Sequence, residues 1–203
     1  MIFLKPGIKF PGLLLITVLM SSSVFAGSVS GILGLGFGVG GDDIDSFYID
    51  GDSEHLKANE GLSIYGGIKY DYDDLLLIKT TLGVKFDTIT ASNGEANFDR
   101  IPLDLLWLLK INRHRLGGGL AYHTAVTYEC RLDGFMGCDF EADFEDALGF
   151  VVAYEYIATL PEKKTGVSLG VRYAGMKYDY EPSNFPGFTI DASGFDFTME
   201  LFF

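Results

Sequence analysis

The sequence predicts an all-β chain, an eight-stranded antiparallel up-and-down transmembrane β-barrel behind a cleaved signal peptide. Three observations predict it. Strand-length segments alternate apolar and polar residues over most of the 203 residues, as in Phe195-Asp196-Phe197-Thr198-Met199-Glu200-Leu201-Phe202. Period-two alternation gives a β-strand one oily and one wet face. The connections between these segments alternate between short and long. The pattern also runs on into Phe203, so the last strand is expected to close something rather than lead into another element.

The N-terminus carries an export signature. Lys5 and Lys9 form a basic start, Leu13 to Met20 a short apolar core, and Ser21-Ser22-Ser23 and Val24-Phe25-Ala26 lead to a small residue at the cut. A signal peptide over residues 1–26 is expected, with the barrel over 27–203. The competing reading, an uncleaved anchor, needs roughly 20 apolar residues, and this run is well short of that. The mature chain of roughly 177 residues suits one domain.

Each strand follows from parity. In the first, Val29, Leu33, Leu35, Phe37 and Val39 share a face, opposite Ser28, Ser30, Gly34, Gly36, Gly38 and Gly40. The second sets Leu62, Ile64, Ile68, Tyr70 and Tyr72 against Ser63, Lys69 and Asp71. The third sets Leu76, Ile78, Leu82, Val84 and Phe86 against Lys79, Thr81, Lys85 and Asp87. The fourth sets Ile101, Leu103, Leu105, Trp107, Leu109 and Ile111 against Arg100, Asp104 and Lys110, although Leu106 and Leu108 interrupt the polar face.

The fifth sets Leu116, Leu120, Tyr122, Val126 and Tyr128 against Arg115, Gly117, Gly119, His123 and Glu129. The sixth sets Leu148, Phe150, Val152, Tyr154 and Tyr156 against Gly149, Ala153 and Glu155. The seventh sets Val167, Leu169, Val171 and Tyr173 against Ser168, Gly170 and Arg172. Beyond it Met176, Tyr178 and Tyr180 fall on the other parity, which predicts a β-bulge near Ala174-Gly175. The eighth is the final strand.

Short turns are expected at Asp73-Asp74, Asn112–His114 and Thr159–Lys164, and long loops at Asp42–Glu60, Thr90–Asp99, Arg131–Asp146 and Glu181–Ser193. A lipocalin-like soluble barrel would also alternate, with its oily face inward. The membrane reading is favoured by the Gly- and Ser-rich polar faces, which a narrow interior requires. It is also favoured by aromatics near the stripe ends: Tyr70, Tyr72, Tyr154, Tyr156 and Phe203 toward the turns, and Phe86, Tyr128, Tyr178 and Phe195 toward the loops. Lipid cannot satisfy backbone groups, so such a sheet must close on itself.

Parity sends Lys79, Lys85, Asp87, Asp104, Lys110, Arg115, His123, Glu129, Glu155, Arg172, Asp196 and Glu200 inward. An eight-stranded barrel has room only for its own side chains, and confined charges of both signs must pair. The expectation is a charge-network plug of Lys79, Lys85, Asp87, Asp104, Arg115, His123, Glu155, Arg172, Asp196 and Glu200. The sharper alternative is a narrow gated pore in which a cation switches carboxylate partners.

Losing Lys5 and Lys9 with the leader takes the formal charge from −13 to about −15. That excludes nucleic acid, whose phosphates need a basic surface. Cys130 and Cys138, the only cysteines, are expected to form a disulfide in an exported chain. Acids crowd two loops. Asp42, Asp43, Asp45, Asp50, Asp52, Glu54 and Glu60 face only Lys57. Asp133, Asp139, Glu141, Asp143, Glu145 and Asp146 surround the cysteines. In Asp139–Glu145 the acids alternate with Phe140, Ala142 and Phe144, as though the sixth strand continued above the membrane. Asp139, Glu141, Asp143 and Glu145 are weak candidates for a hard divalent cation. Neither loop has EF-hand spacing, so a solvated acidic surface is the expectation, and no cofactor is expected.

Over the mature chain the sequence resembles the small bacterial outer-membrane β-barrel superfamily, similar in layout to OmpX-like proteins and the OmpA transmembrane domain. The signal peptide, the Gly-rich run Arg115-Leu116-Gly117-Gly118-Gly119-Leu120-Ala121-Tyr122-His123, the turn/loop asymmetry and the terminal Phe203 carry the resemblance. It implies an outer-membrane location, short turns in the periplasm, contact with lipid and lipopolysaccharide, and Phe203 as the signal read by the barrel-insertion machinery. Members include structural proteins, adhesins, narrow channels and lipid A-modifying enzymes, and the fold does not choose among them. The enzymes use a His with a Ser and an acid at the outer rim. Here His123 points inward, no His-x-Ser-Asn stretch is present, and His55 and His114 have no Ser at an informative spacing. The sequence therefore points to a non-enzymatic barrel with a structural or surface-interaction role. A narrow solute channel is the alternative and a lipid A-modifying enzyme a remote one.

Overall fold

A computed structural model describes residues 27–49, 52–91, 94–132, 138–159, 165–180 and 189–203. The expected signal peptide lies outside the described residues. Thirteen strands follow in order: β1 (Ser28–Gly40), β2 (Asp43–Ile49), β3 (Asp52–Lys57), β4 (Gly61–Asp71), β5 (Leu76–Ala91), β6 (Gly94–Ile111), β7 (His114–Leu132), β8 (Asp139–Phe144), β9 (Ala147–Ile157), β10 (Gly166–Gly175), β11 (Lys177–Asp179), β12 (Thr189–Asp191) and β13 (Gly194–Phe202).

Eight of them close a barrel. The antiparallel order is β6-β5-β4-β1-β13-β10-β9-β7, and β6 pairs with β7 to complete the ring. β13 therefore joins β1 on one side, with Leu35 opposite Met199, and β10 on the other, with Arg172 opposite Asp196. Closure leaves no open edge at this level, so the ladder hydrogen bonds run around the whole ring without help from solvent.

The oily stripes face outward. Leu35 is 51% exposed and Phe197 55%, while Gly34, Gly36 and Ser63 between the stripes are buried. Leu33, Leu62, Ile64, Ile68, Leu82, Val84, Leu103, Trp107, Leu120, Phe150 and Leu169 continue the same belt around the barrel. So large an exposed apolar surface is incompatible with a water-soluble monomer and fits contact with acyl chains. Aromatic rings edge the belt on the loop side, where Tyr173 bridges Phe150 at 6.1 Å and Phe195 at 5.2 Å.

A strand needs about 9–11 residues to cross a membrane, yet β6 has 18 and β7 has 19. The excess projects beyond the belt on the loop side, and there the faces exchange character. On β6 the outward residues change from Leu105, Leu103 and Ile101 to Asp99 and Glu95, while the inward ones change from Asp104 to Phe98 and Ala96. Ile89, Ala96, Phe98, Val126, Tyr128, Phe144 and Tyr178 pack a dry core there. Its rings meet edge to face or tilted, with Phe98 6.0 Å from Phe144 and 5.9 Å from Tyr178.

This exchange corrects several expectations. The parity shift lies on β7, where Asp99 faces Thr127 but Ile101 faces Thr124. Ala125, at φ 50°, is the extra residue of the bulge. Val126, Tyr128 and Cys130 therefore turn inward, and Glu129 turns outward beside Arg131. The opposite wall shifts in step: β7 pairs with β9 up to His123–Ala147 and then with β8 from Val126–Phe144, so Glu145 and Asp146 form the matching break.

No bulge occurs at Ala174-Gly175. β10 keeps its register with β9 through Gly175, and Arg172, Ala174, Met176 and Tyr178 all point inward. Met176 and Tyr178 looked out of phase only because an apolar residue was equated with a lipid-facing one. Tyr128 and Tyr178 accordingly belong to the inner core, not to an aromatic girdle. The expected loop at Thr90–Asp99 is mostly strand, since β5 runs to Ala91 and β6 starts at Gly94. The first long loop folds as the β2–β3 hairpin.

Candidate functional site

The interior at belt level is built by residues two apart on each strand, which converge on the barrel axis. Glycine makes the room. A Cβ on Gly34 would lie 2.3 Å from the Tyr65 ring, and one on Gly38 would lie 2.3 Å from Lys85 Nζ and 2.6 Å from Asp196 Oδ1. β1 thus stays bare so that long side chains from β4, β5 and β13 can fill the lumen.

Three groups of charges occupy it, the second and third sharing Asp196. Toward the turn side, the Lys79 ammonium donates to Glu155 and, at 2.8 Å, to Glu200. Glu200 also accepts from the Tyr65 hydroxyl at 3.0 Å and from the Ser168 hydroxyl at 3.4 Å. Arg115 stands 3.7 Å from Glu155. In the middle, the Arg172 guanidinium bridges Asp104 and Asp196, the latter at 3.1 Å, and Thr81 donates to Asp104 at 3.4 Å. Toward the loop side, Lys85 donates to Asp196 at 2.5 Å and to the Asn59 carbonyl at 2.9 Å.

Asn59 ties this network to the backbone above it. Its amide donates to Val39 O at 3.2 Å and Phe195 O at 3.3 Å. Next to it the buried Arg100 donates to Glu60 O at 2.7 Å and lies 4.8 Å from the Phe98 ring. The segment after β3 therefore folds down over the charges and is anchored by two interior cations. The space left among Tyr65, Lys79, Thr81, Glu155, Arg172 and Glu200 is about 10 Å³, near the minimum for one water molecule.

The structure brings together Lys79, Lys85, Asp104, Arg115, Glu155, Arg172, Asp196 and Glu200. Two expected members stand apart. Asp87 accepts the Thr88 amide at 3.0 Å and joins no ion pair among the described residues. His123 is inside the barrel, but its Nδ1 is 2.6 Å from the Tyr178 hydroxyl, at the base of the aromatic core. Inward parity selects the wall a side chain points from and leaves its depth open. Lys110, also inward, pairs with Asp71 at 2.8 Å near the turns.

Sequence reasoning passed over Tyr65 and Asn59. Tyr65 shares the parity of Ser63 and Lys69, so its inward aim was legible once its hydroxyl was counted as polar. Asn59 lies in a connection, where no period marks it.

Above the belt, Cys130 and Cys138 form a disulfide with Cα atoms 5.7 Å apart, joining the end of β7 to the start of β8. Asp139, Glu141 and Asp143 all point outward along β8. Alternate residues on a strand lie about 7 Å apart, too far for one small cation to collect them. Among the described residues no three His, Cys, Asp or Glu side chains cluster closely enough to hold a metal ion.

No protein-family model matches the chain, and no curated protein matches it by sequence. Solved structures do match its fold. Ail, the attachment invasion locus protein of Yersinia pestis, solved with the heparin analogue sucrose octasulfate, aligns with TM-score 0.50 at 11% identity over 87% of this chain and 99% of its own. The outer membrane protein OprG from Pseudomonas aeruginosa aligns with TM-score 0.54 at 13% identity over 86% of this chain and 95% of its own. This is the fold of the eight-stranded outer-membrane β-barrels. With the oily belt around the ring, it is the fold of a membrane-spanning barrel. At such identities the likeness extends to architecture and stops short of ligands.

Proposed function

We propose that the chain is a non-enzymatic outer-membrane anchor, sealed by its own side chains, that presents a rigid acidic platform at the cell surface. The short turns and the strand ends at Ser28 and Phe202 then face the periplasm, and the projecting β-structure faces outward. The observation that supports this reading is the charge network at belt level. The ion pairs leave about 10 Å³ between them, and Asn59 and Arg100 close the loop side.

The outward acids Glu95, Asp99, Glu129, Asp139, Glu141 and Asp143 favour cationic partners, or divalent ions that bridge to lipopolysaccharide phosphates. Repulsion between like charges disfavours a polysulfated glycan of the kind seen with Ail.

A narrow channel is the second reading. One observation favours it: Lys79 sits between Glu155 and Glu200, and Arg172 between Asp104 and Asp196, so either cation has two carboxylates to alternate between. Conductance in planar bilayers separates the two. The sealed barrel gives no steady openings. Steady openings that disappear in Lys79→Gln or Glu155→Gln overturn the plug in favour of a gate. An unchanged lipid A mass spectrum from cells with and without the protein is expected of a non-enzyme.

A further inference from the structure

The turn-side mouth of the barrel is built differently from everything above it. It holds a cavity of about 600 Å³, within the range of small-molecule sites. Lys69, Lys110, Arg113 and Arg115 line it, against Asp71 and Asp74. Asp71 is already engaged by Lys110. That leaves Lys69, Arg113 and Arg115 against Asp74, a local excess of positive charge in a chain of formal charge −13.

Among the described residues, two of these cations form no ion pair. Lys69 is 4% exposed and makes no hydrogen bond or ion pair among the described residues. Its ammonium rests 3.4 Å from the centroid of the Phe202 ring. The ring face attracts the charge but supplies no hydrogen-bond acceptor, and the ammonium borders the cavity. Arg113, in the turn between β6 and β7, also has no ion pair among the described residues. Arg115 approaches the same ring at 5.8 Å, and its one carboxylate contact, to Glu155, is long at 3.7 Å.

At belt level Lys79, Lys85 and Arg172 each have a carboxylate within hydrogen-bond distance. At the mouth, donors surround open space. Oxyanions fill that arrangement well, because a guanidinium fork and an ammonium together saturate the oxygens of a phosphate or carboxylate.

We propose that this vestibule is a binding site for a phosphate- or carboxylate-bearing anion of small-molecule size, reached from the periplasm. Lys69 and Arg115 hold the anionic group against the Phe202 edge, and Arg113 guards the entrance. The ligand is either a soluble anion or the headgroup of an inner-leaflet phospholipid. The site is independent of the sealed-lumen reading, since it needs only the mouth to be open.

The test is calorimetric titration of the folded full chain with sodium pyrophosphate at constant ionic strength, in zwitterionic micelles. Saturable binding is expected, weakened at least tenfold in Lys69→Gln and in Arg113→Gln, and unchanged in Lys57→Gln at the far end of the molecule. Arg113→Gln covers the case in which Lys69→Gln does not fold, since its side chain lies in a turn. Repeating the titration in phosphatidylcholine nanodiscs with and without phosphatidylglycerol separates the sources. Competition by phosphatidylglycerol identifies a headgroup site, and its absence a soluble anion. No saturable binding, or binding that both vestibule variants leave intact, overturns the proposal and leaves the plug untouched.

Discussion

The belt and the projecting half of this barrel are the same sheet turned inside out. At belt level leucines and phenylalanines look outward, and Lys79, Lys85, Arg172 and their carboxylates look inward. A few residues higher, Asp99, Glu129 and Asp143 look outward, and Phe98, Tyr128 and Phe144 look inward. The solvent beside each wall decides which face is oily. Lipid takes apolar side chains and repels charge, so the polar residues are left to a lumen where they must pair. Water reverses the preference, and the lumen becomes an ordinary dry core.

The difference lies in mechanics as well as chemistry. The lower lumen is held by directional charge pairs and the upper one by packing and a disulfide. Removing one member of a buried pair strands the others, so Asp196→Ala, which deprives both Lys85 and Arg172, should cost about 3–5 kcal/mol. Urea titration of the folded barrel in liposomes measures it. Asp143→Ala on the outer acidic row should stay within about 0.5 kcal/mol. Equal losses would break the comparison.

The same arginine placed on the two outer surfaces gives a sharper contrast. Leu35→Arg, at mid-belt beside Ile64 and Met199, should cost about 2–4 kcal/mol. Thr127→Arg, outward but above the bulge, should cost no more than about 0.5 kcal/mol. If the two penalties match in liposomes, the boundary near Ala125 is misplaced. Opening the disulfide with Cys130→Ser and Cys138→Ser together should release about 2–3 kcal/mol. That loss should be confined to the upper half and seen as faster hydrogen exchange along β8, with the unfolding midpoint of the belt unchanged.

The smallest effect concerns a turn. Asp73 accepts the amides of Leu76 at 2.6 Å and Leu75 at 2.7 Å, which hold its carboxyl below its usual 3.8. A folded pKa below the unfolded one stabilises at pH values above the unfolded pKa. The contribution fades as pH falls through the folded value. Acidification below about pH 4 should therefore slow refolding or lower stability less in Asp73→Ala than in the parent chain, read from the fraction of heat-modifiable protein on detergent gels.

Much of the fold was legible because a barrel strand has only two faces. Parity sorted β1, β4, β9 and β13 throughout their lengths and β5 as far as Asp87, and the turn at Asn112-Arg113 followed from the break between two oily stripes. Reading failed where the solvent changed along a strand. Val126 and Tyr128 matched the stripe of Leu116 and Leu120 in number and hydrophobicity, and nothing in the residues marked Ala125 as a bulge. Met176 and Tyr178 seemed to require a bulge that is absent, for the same reason. Within the candidate site, parity supplied the inward charges but not their partners. It could not give the depth of Asp87 or His123, nor the descent of Asn59 onto Lys85.

By itself the sequence determined that this chain is a closed membrane sheet, because alternation at period two is a local property and lipid forbids an open edge. Tertiary structure alone decided which carboxylate each cation meets, where the sheet turns inside out, and that Lys69 and Arg113 line a cavity without an ion pair among the described residues. Those outcomes depend on register and on distances across the lumen, which no stretch of neighbouring residues encodes.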